Sequence, residues 1–376
     1  MLKRCRRVVV KVGTNAICDD AGRLDHKAVS SLARQIAELM RPGLSRSPGG
    51  DKLRPGGHSV TLVASGAIGS GIGELDLPAR PRKMPQLQAV AAVGQGQLMR
   101  AFHDGFARHG VKVAQVLLTR EDFEHRSRYL NIRNTLAALG DFGVLPIINE
   151  NDTVAVDEIR FGDNDVLAAL VTTMLGADLL VFLTNVDGLM RGGSVLDCVE
   201  QVDRETMSLV RGDRSSLGSG GMASKLAAAA MVTRAGQFAA VANSRAPNVI
   251  ARLLAGEGIG TIFIPARRKM SSRARWISQV ARPAGRILID EGAAKAIKTG
   301  GKSLLPSGIV AVAGDFERGA TVSIIDPTGS ELARGLTNYS SNQIERIKGL
   351  KTSAIAKVLG EKPCDEVVHR NNMTLK

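Results

Sequence analysis

Aromatic residues are scarce, with one Trp, two Tyr and nine Phe in 376 residues. Val, Ile, Leu and Ala must therefore fill the core. Cysteine is scarce as well. Cys5, Cys18, Cys198 and Cys364 are scattered, with neither metal-ligand nor redox spacing. That excludes a disulfide-stapled scaffold and fits reduced thiols in a cytoplasmic protein. The six histidines (His26, His58, His103, His109, His125, His369) form no metal or triad pattern. No apolar run reaches the roughly 20 residues that span a bilayer. The basic start, MLKRCRR, runs into Val8-Val9-Val10 and imitates a signal peptide. Lys11 interrupts that run and no small-residue cleavage site follows, so a buried strand is expected. G-x-x-x-x-G-K-[ST] and G-x-S-x-G are both absent, which excludes a P-loop enzyme and an α/β-hydrolase.

The chain is long enough for two domains, and 44% of it is hydrophobic. The formal charge of +14 implies attraction for anions in general. Most of the excess precedes residue 284, much of it in the N-terminal arm, residues 41–58 and residues 267–282. RNA binding is not supported by that distribution, because basic residues interleaved with aromatics are missing.

Up to residue 265, short β-rich runs alternate with helical patterns. Strands are expected at 8–12, 60–64, 113–118, 144–148, 179–183 and 239–242. Helices are expected at 25–40, 86–108, 129–139, 166–175 and 222–235. The alternation predicts an α/β fold: an αβα sandwich around a mainly parallel open sheet. Ligands bind such sheets at the carboxyl ends of the strands. Residues 41–58, rich in Pro, Gly and Arg, read as a mobile insertion. Residues 266–283 read as a basic linker, with Trp276 packing rather than binding a ligand. From 284 to 361 short strands and turn signals predict a small β-barrel. Residues 362–376 are expected to be a tail.

The polar clusters follow the strands. Lys11 lies inside an apolar strand, which is costly unless it is paired or near a ligand. A lysine snorkelling from the strand end fits the same stretch equally well. Ser65-Gly66-Ala67-Ile68-Gly69 is a small-residue turn whose N–H groups suit an anion, and a tight packing turn accounts for it too. Asn149-Glu150-Asn151-Asp152 and Gly162-Asp163-Asn164-Asp165 concentrate side chains that can pair with the ammonium and carboxylate groups of an amino acid. A helix cap accounts for Asp163 or Asp165 but not for the whole set. Gly218–Lys225, GSGGMASK, opens a helix, where free N–H groups bind anions. Lys225 opposes the helix dipole there, an arrangement that makes sense if an anion occupies the site.

Together VVVKVGTN (8–15), VASGAIGSG (63–71), LLTREDF (117–123), YLNIRNTL (129–136), PIINENDTVAVDEIRFGDNDVLAALV (146–171), LLVFLTNVDGL (179–189) and GSGGMASKLAAA (218–229) resemble the amino acid kinase family. Within it they resemble the branch that phosphorylates the side-chain carboxylate of glutamate. The stretches GAAKAIKTGGKSLLPSGI and GDFERGA resemble the PUA domain that many bacterial members of that branch carry. The resemblance implies domains at 1–265 and 284–361, and ATP and glutamate laid across the strand ends. It implies that Lys11 and Lys225 contact the transferred phosphoryl group and that Asp165 orients them. Ser65, Gly66, Asn149, Asp152, Asp163 and Asn164 would surround glutamate. Thr184, Asn185, Ser219, Gly220, Gly221, Met222, Ala223, Ser224 and Lys225 would hold the nucleotide, with Lys11 at its phosphates and Mg²⁺ bridging them. Asn185 departs from the Asp of some relatives, and the 41–58 stretch is longer than theirs. Further implications are proline synthesis, feedback inhibition by proline, a dimer or tetramer, and a glutamyl phosphate reductase that consumes the product. The alternatives are a related kinase acting on acetylglutamate, aspartate, a nucleoside monophosphate or carbamate, and an RNA-binding regulator with an inactive kinase domain. The paired Asn/Asp clusters and the intact Lys11, Asp165 and Lys225 argue against these.

Overall fold

Val8, Val10 and Val12 point to one face of the strand β1 (Arg7–Val12) and join a large apolar cluster. Alternation along a strand sends Val9 and Lys11 to the other face. This one strand therefore feeds a dry core on one side and the polar site on the other. The computed structural model describes residues 1–19, 23–41, 57–154, 164–210, 221–266, 276–277 and 283–376. Their contacts divide into two units: Met1–Asp122 with Ser127–Lys269, and Phe123–Arg126 with Met270–Lys376.

The first unit is built on an eight-stranded sheet. After β1 come β2 (Ser59–Ala64), β3 (Val113–Leu118), β4 (Leu145–Glu150), β5 (Leu179–Thr184), β6 (Met190–Arg191), β7 (Ser194–Val195), β8 (Cys198–Val199), β9 (Phe238–Asn243) and β10 (Thr261–Phe263). The strand order is β3-β4-β2-β1-β5-β9-β10-β8, with β6 and β7 in a separate hairpin. Pairing is parallel from β3 to β9. β10 runs antiparallel to β9 and parallel to β8. The expected αβα architecture is the one that forms. The inner strands β1, β2, β4 and β5 are buried on both faces, which is why they read as largely continuous apolar runs.

The helices are α1 (Thr14–Ile17), α2 (His26–Met40), α3 (Ala67–Glu74), α4 (Met84–Ala107), α5 (Arg120–Glu124), α6 (Arg126–Asp141), α7 (Asn164–Leu175), α8 (Arg204–Ser208), α9 (Met222–Arg234) and α10 (Val249–Ala255). α2 starts where the Asp25 carboxylate accepts from the Lys27 and Ala28 N–H groups. Its Val29, Leu32 and Ile36, at helical spacing, meet Leu98, Phe102 and Phe106 of α4 in the same cluster as Val8 and Val10. α7 covers the opposite face and packs on β1. α3 and α4 approach closely through two glycines. A Cβ on Gly71 would stand 1.9 Å from the Val90 carbonyl oxygen, and one on Gly94 1.9 Å from that of Ala67.

The second unit carries β11 (Gly285–Ile289), α11 (Glu291–Gly300), β12 (Ile309–Ala313), β13 (Thr321–Ile325), β14 (Glu331–Thr337), α12 (Ser341–Ile347), α13 (Ile355–Leu359) and β15 (Val368–Leu375). The sheet order is β12-β11-β13-β14-β15, over a core that includes Ile287, Ile324, Tyr339 and Val368. Trp276 is buried in this unit. Its Nε1 donates to the Phe123 carbonyl at 2.9 Å, and the Arg126 guanidinium lies 5.1 Å from its ring centre.

Three expectations differ from the structure. Residues 362–376 are not a tail, because β15 pairs with β14 and buries Val368. Its alternation is broken by His369, Arg370 and two asparagines, so pairing rather than hydrophobicity defines it. β8 and β10 were not foreseen, being only two and three residues long. β4 continues through Asn149 and Glu150 instead of ending before them. The insertion expected at 41–58 lies largely outside the described residues. Among the described residues no helix is long and apolar enough to cross a membrane.

Candidate active site

Asp165 lies in the first turn of α7 and is fully buried. A lone carboxylate at that depth is strongly disfavoured. Here two ammonium groups meet it. Lys11 Nζ of β1 is 2.6 Å from Oδ1, and Lys225 Nζ of α9 is 3.1 Å from Oδ2. Ser224 Oγ donates to Oδ2 at 3.1 Å. Both lysines are themselves buried, 4% and 6% exposed. Burial by itself would push the Asp165 carboxyl up. The Lys11 and Lys225 ammonium groups outweigh it and hold the group down at about 2. Among the described residues two ammonium groups meet one carboxylate, which leaves one positive charge in excess in a place water barely reaches. Such a site is built to receive an anion.

Elements far apart in sequence assemble this group. Lys11 faces α7 because Val10 and Val12 face the core. Gly13 follows it, and a Cβ there would come into ordinary contact with Lys11 Nζ, at 3.7 Å. Gly221 caps α9 in extended conformation, and Lys225 follows one turn later. Its ammonium is turned onto Asp165, which offsets the cost of a cation near a helix N-terminus.

A second cluster adjoins the first. The Asn164 Nδ2 amide donates to the Ala64 carbonyl at 2.8 Å, to Ser65 Oγ at 3.0 Å and to Asn149 Oδ1 at 2.9 Å. Asn149 Oδ1 also accepts from the Glu150 N–H at 2.9 Å, and its Nδ2 donates to Gln95 Oε1 at 2.7 Å. Asn149 and Asn164 are buried. Gly66 closes the turn after β2 at φ +110°, a backbone conformation that favours glycine. Asp152 lies half-buried in the turn after β4.

The structure thus brings Lys11, Asp165, Ser224 and Lys225 into one cluster and Ser65, Asn149 and Asn164 into another, joined by the adjacent residues 164 and 165. Gly66 and Asp152 lie at the neighbouring strand ends. Thr184 ends β5, and its Oγ1 donates to Asn185 Oδ1 at 3.3 Å. Asn185 is exposed, as is Ala223, and Met222 is half-buried. Asp163, Ser219 and Gly220 lie outside the described residues. Gln95 was not foreseen. A mid-helix glutamine reads as surface, and only its flanking glycines, Gly94 and Gly96, hint at close approach.

The amino acid kinase family model matches residues 6–243, and the PUA domain model matches residues 285–359. The chain belongs to the amino acid kinase family. It is 45% identical to a glutamate 5-kinase of Caldanaerobacter subterraneus subsp. tengcongensis, over 98% of this chain and 97% of that one. It is 45% identical to a glutamate 5-kinase of Moorella thermoacetica, over 99% and 97%. With a glutamate 5-kinase of Citrifermentans bemidjiense the identity is 44%, over 100% and 99%.

Proposed function

We propose that the chain transfers the γ-phosphoryl group of ATP to the side-chain carboxylate of glutamate, giving the acyl phosphate and ADP. The observation that carries this reading is the buried Lys11–Asp165–Lys225 group, found in a chain 45% identical to glutamate 5-kinases. A side-chain carboxylate has a pKa near 4.3 and is ionised at neutral pH, so no general base is needed. One of its oxygens forms the new O–P bond. The bond between the γ-phosphorus and the β–γ bridging oxygen breaks, and ADP leaves with that electron pair. No proton has to move. The difficulty is bringing two anions together and holding the charge on the transferred oxygens, which is work for positioning and electrostatics.

Lys11 and Lys225 supply that charge on the phosphoryl oxygens, and Asp165 holds both ammonium groups in place. Asn149, Asn164, Ser65, Gly66, Asp152 and Asp163 surround glutamate. Thr184, Asn185 and the 219–225 stretch hold the nucleotide. Among the described residues no group of three or more His, Cys, Asp or Glu side chains could hold a metal. Mg²⁺ would neutralise part of the phosphate charge. The acyl phosphate hydrolyses and cyclises readily, so a reductase that consumes it promptly fits, as does a first step toward proline. Inhibition by proline and assembly as a dimer or tetramer belong to the same reading.

The test is an assay with ATP, Mg²⁺ and hydroxylamine, offering glutamate, acetylglutamate, aspartate and carbamate in turn. Glutamate-dependent hydroxamate is expected. A signal with another acid and none with glutamate would remove the proposal.

A further inference from the structure

We propose that Gln95 is a positioning residue that accepts from the buried Asn149 amide, holds it against Asn164, and so supports the selection of a substrate bearing an ammonium group. This deepens the glutamate reading above and rests on it.

Either orientation of an amide side chain fills the same space, so something must choose between them. Two backbone groups of fixed polarity do so here. The Glu150 N–H can only donate, so Asn149 must present Oδ1 to it. The Ala64 carbonyl can only accept, so Asn164 must present Nδ2 to it. The two constraints agree where the amides meet, with Asn164 Nδ2 donating to Asn149 Oδ1. That leaves Asn149 Nδ2 buried and in need of an acceptor, which Gln95 Oε1 provides at 2.7 Å. Reversing Asn149 would set the Glu150 N–H against an NH₂ group, whereas Gln95, whose Nε2 has no hydrogen-bond partner among the described residues, follows the orientation of Asn149. Without Gln95 Oε1, the buried Asn149 Nδ2 loses its acceptor and the amide its anchor on α4.

The consequence appears at the other end of the chain of bonds. With both Nδ2 hydrogens shared among three acceptors, Asn164 is left with Oδ1, a buried oxygen without a hydrogen-bond partner among the described residues. It belongs to the residue next to Asp165. An oxygen in that position accepts, and the α-ammonium group of an amino acid is the donor it fits. Glutarate has the same two carboxylates and lacks that group.

Placement agrees with this role. Leu145 and Ile147 of β4 face the cluster shared with α4, so Asn149, two residues further, faces α4 as well. Gly94 lets α4 press against α3 beside the strand ends, which brings the neighbouring Gln95 within reach of Asn149.

The experiment compares wild type, Gln95→Leu and Gln95→Glu in the hydroxamate assay with glutamate and with glutarate. Calorimetric titration of each acid without ATP provides a reading independent of turnover. Gln95→Leu should raise the glutamate KM and Kd roughly tenfold. It should leave the ATP KM unchanged and reduce the preference for glutamate over glutarate. Gln95→Glu keeps an acceptor oxygen and should restore that preference. The idea fails if Gln95→Leu keeps both KM and preference. It fails equally if both substrates weaken together as the melting temperature drops, since that marks a merely structural role. Wild type that binds glutamate without phosphorylating it would remove the proposed reaction, and the titrations would still judge Gln95.

Discussion

Asp165 carries the most weight of any single residue, because its carboxylate serves two buried cations. Replacing it with Asn removes their shared counter-charge, and breaking a buried ion group in this way costs about 3–5 kcal/mol. Denaturant unfolding of Asp165→Asn should show that loss, and unchanged stability would contradict the burial argument. The pH dependence has a definite sign. The folded carboxyl is held at about 2, below its ordinary value of 3.8. Its contribution is therefore fully present above 3.8 and is lost as pH falls toward 2. Denaturation midpoints should fall across that window in wild type, with that part of the fall missing in Asp165→Asn. Lys11→Met and Lys225→Met each remove a cation from the proposed phosphoryl site. Removing one such donor slows turnover by about 10²–10³-fold. Steady-state kinetics should show the loss in kcat with a much smaller change in glutamate KM, and near-normal kcat in either variant would exclude the role. Asp152→Ala should act the other way, raising glutamate KM about tenfold or more with kcat little changed.

The elements do what single residues cannot: they carry groups from opposite ends of the chain to one place. α3 and α4 show how tightly this is specified. A methyl group on Gly71 or Gly94 would overlap backbone atoms of the facing helix, and backbone cannot step aside as a side chain can. Gly94→Ala should therefore cost at least about 1–3 kcal/mol, visible as a lower melting temperature. It should also weaken glutamate binding, since Gln95 moves with α4. An unchanged melting temperature would mean that the helices separate at no cost. The strands were legible at this scale. Val8–Val12 and Leu179–Leu183 are continuous apolar runs because both faces of the sheet are covered. The short β8 and β10 were not legible, because two or three residues carry no period. β15 was missed for a related reason. Its polar residues hide the pattern, and only pairing with β14 makes it a strand.

Across the whole molecule the two units have separate sheets and separate cores. β15 is an edge of the second sheet, and with it come Val367 and Val368, both fully buried. A chain ending at residue 361 would strip that edge and open the core around Ile287 and Tyr339. Hydrogen exchange should show protection lost throughout 285–359, and protection equal to wild type would restore the view of 362–376 as a dispensable tail.

Sequence by itself determined the α/β class and the strand-end placement of the polar clusters, and it was the family resemblance that grouped Lys11, Asp165 and Lys225. Periodicity and composition are local properties, and the clusters follow directly on apolar strands. Only the tertiary structure decided that Lys11 and Lys225 share one carboxylate and that Gln95 belongs to the site. Those facts depend on which faces meet. The bond from Asn149 to Gln95 across 54 residues joins the end of β4 to a helix that Gly94 lets pack closely on α3, and no local pattern encodes the two together.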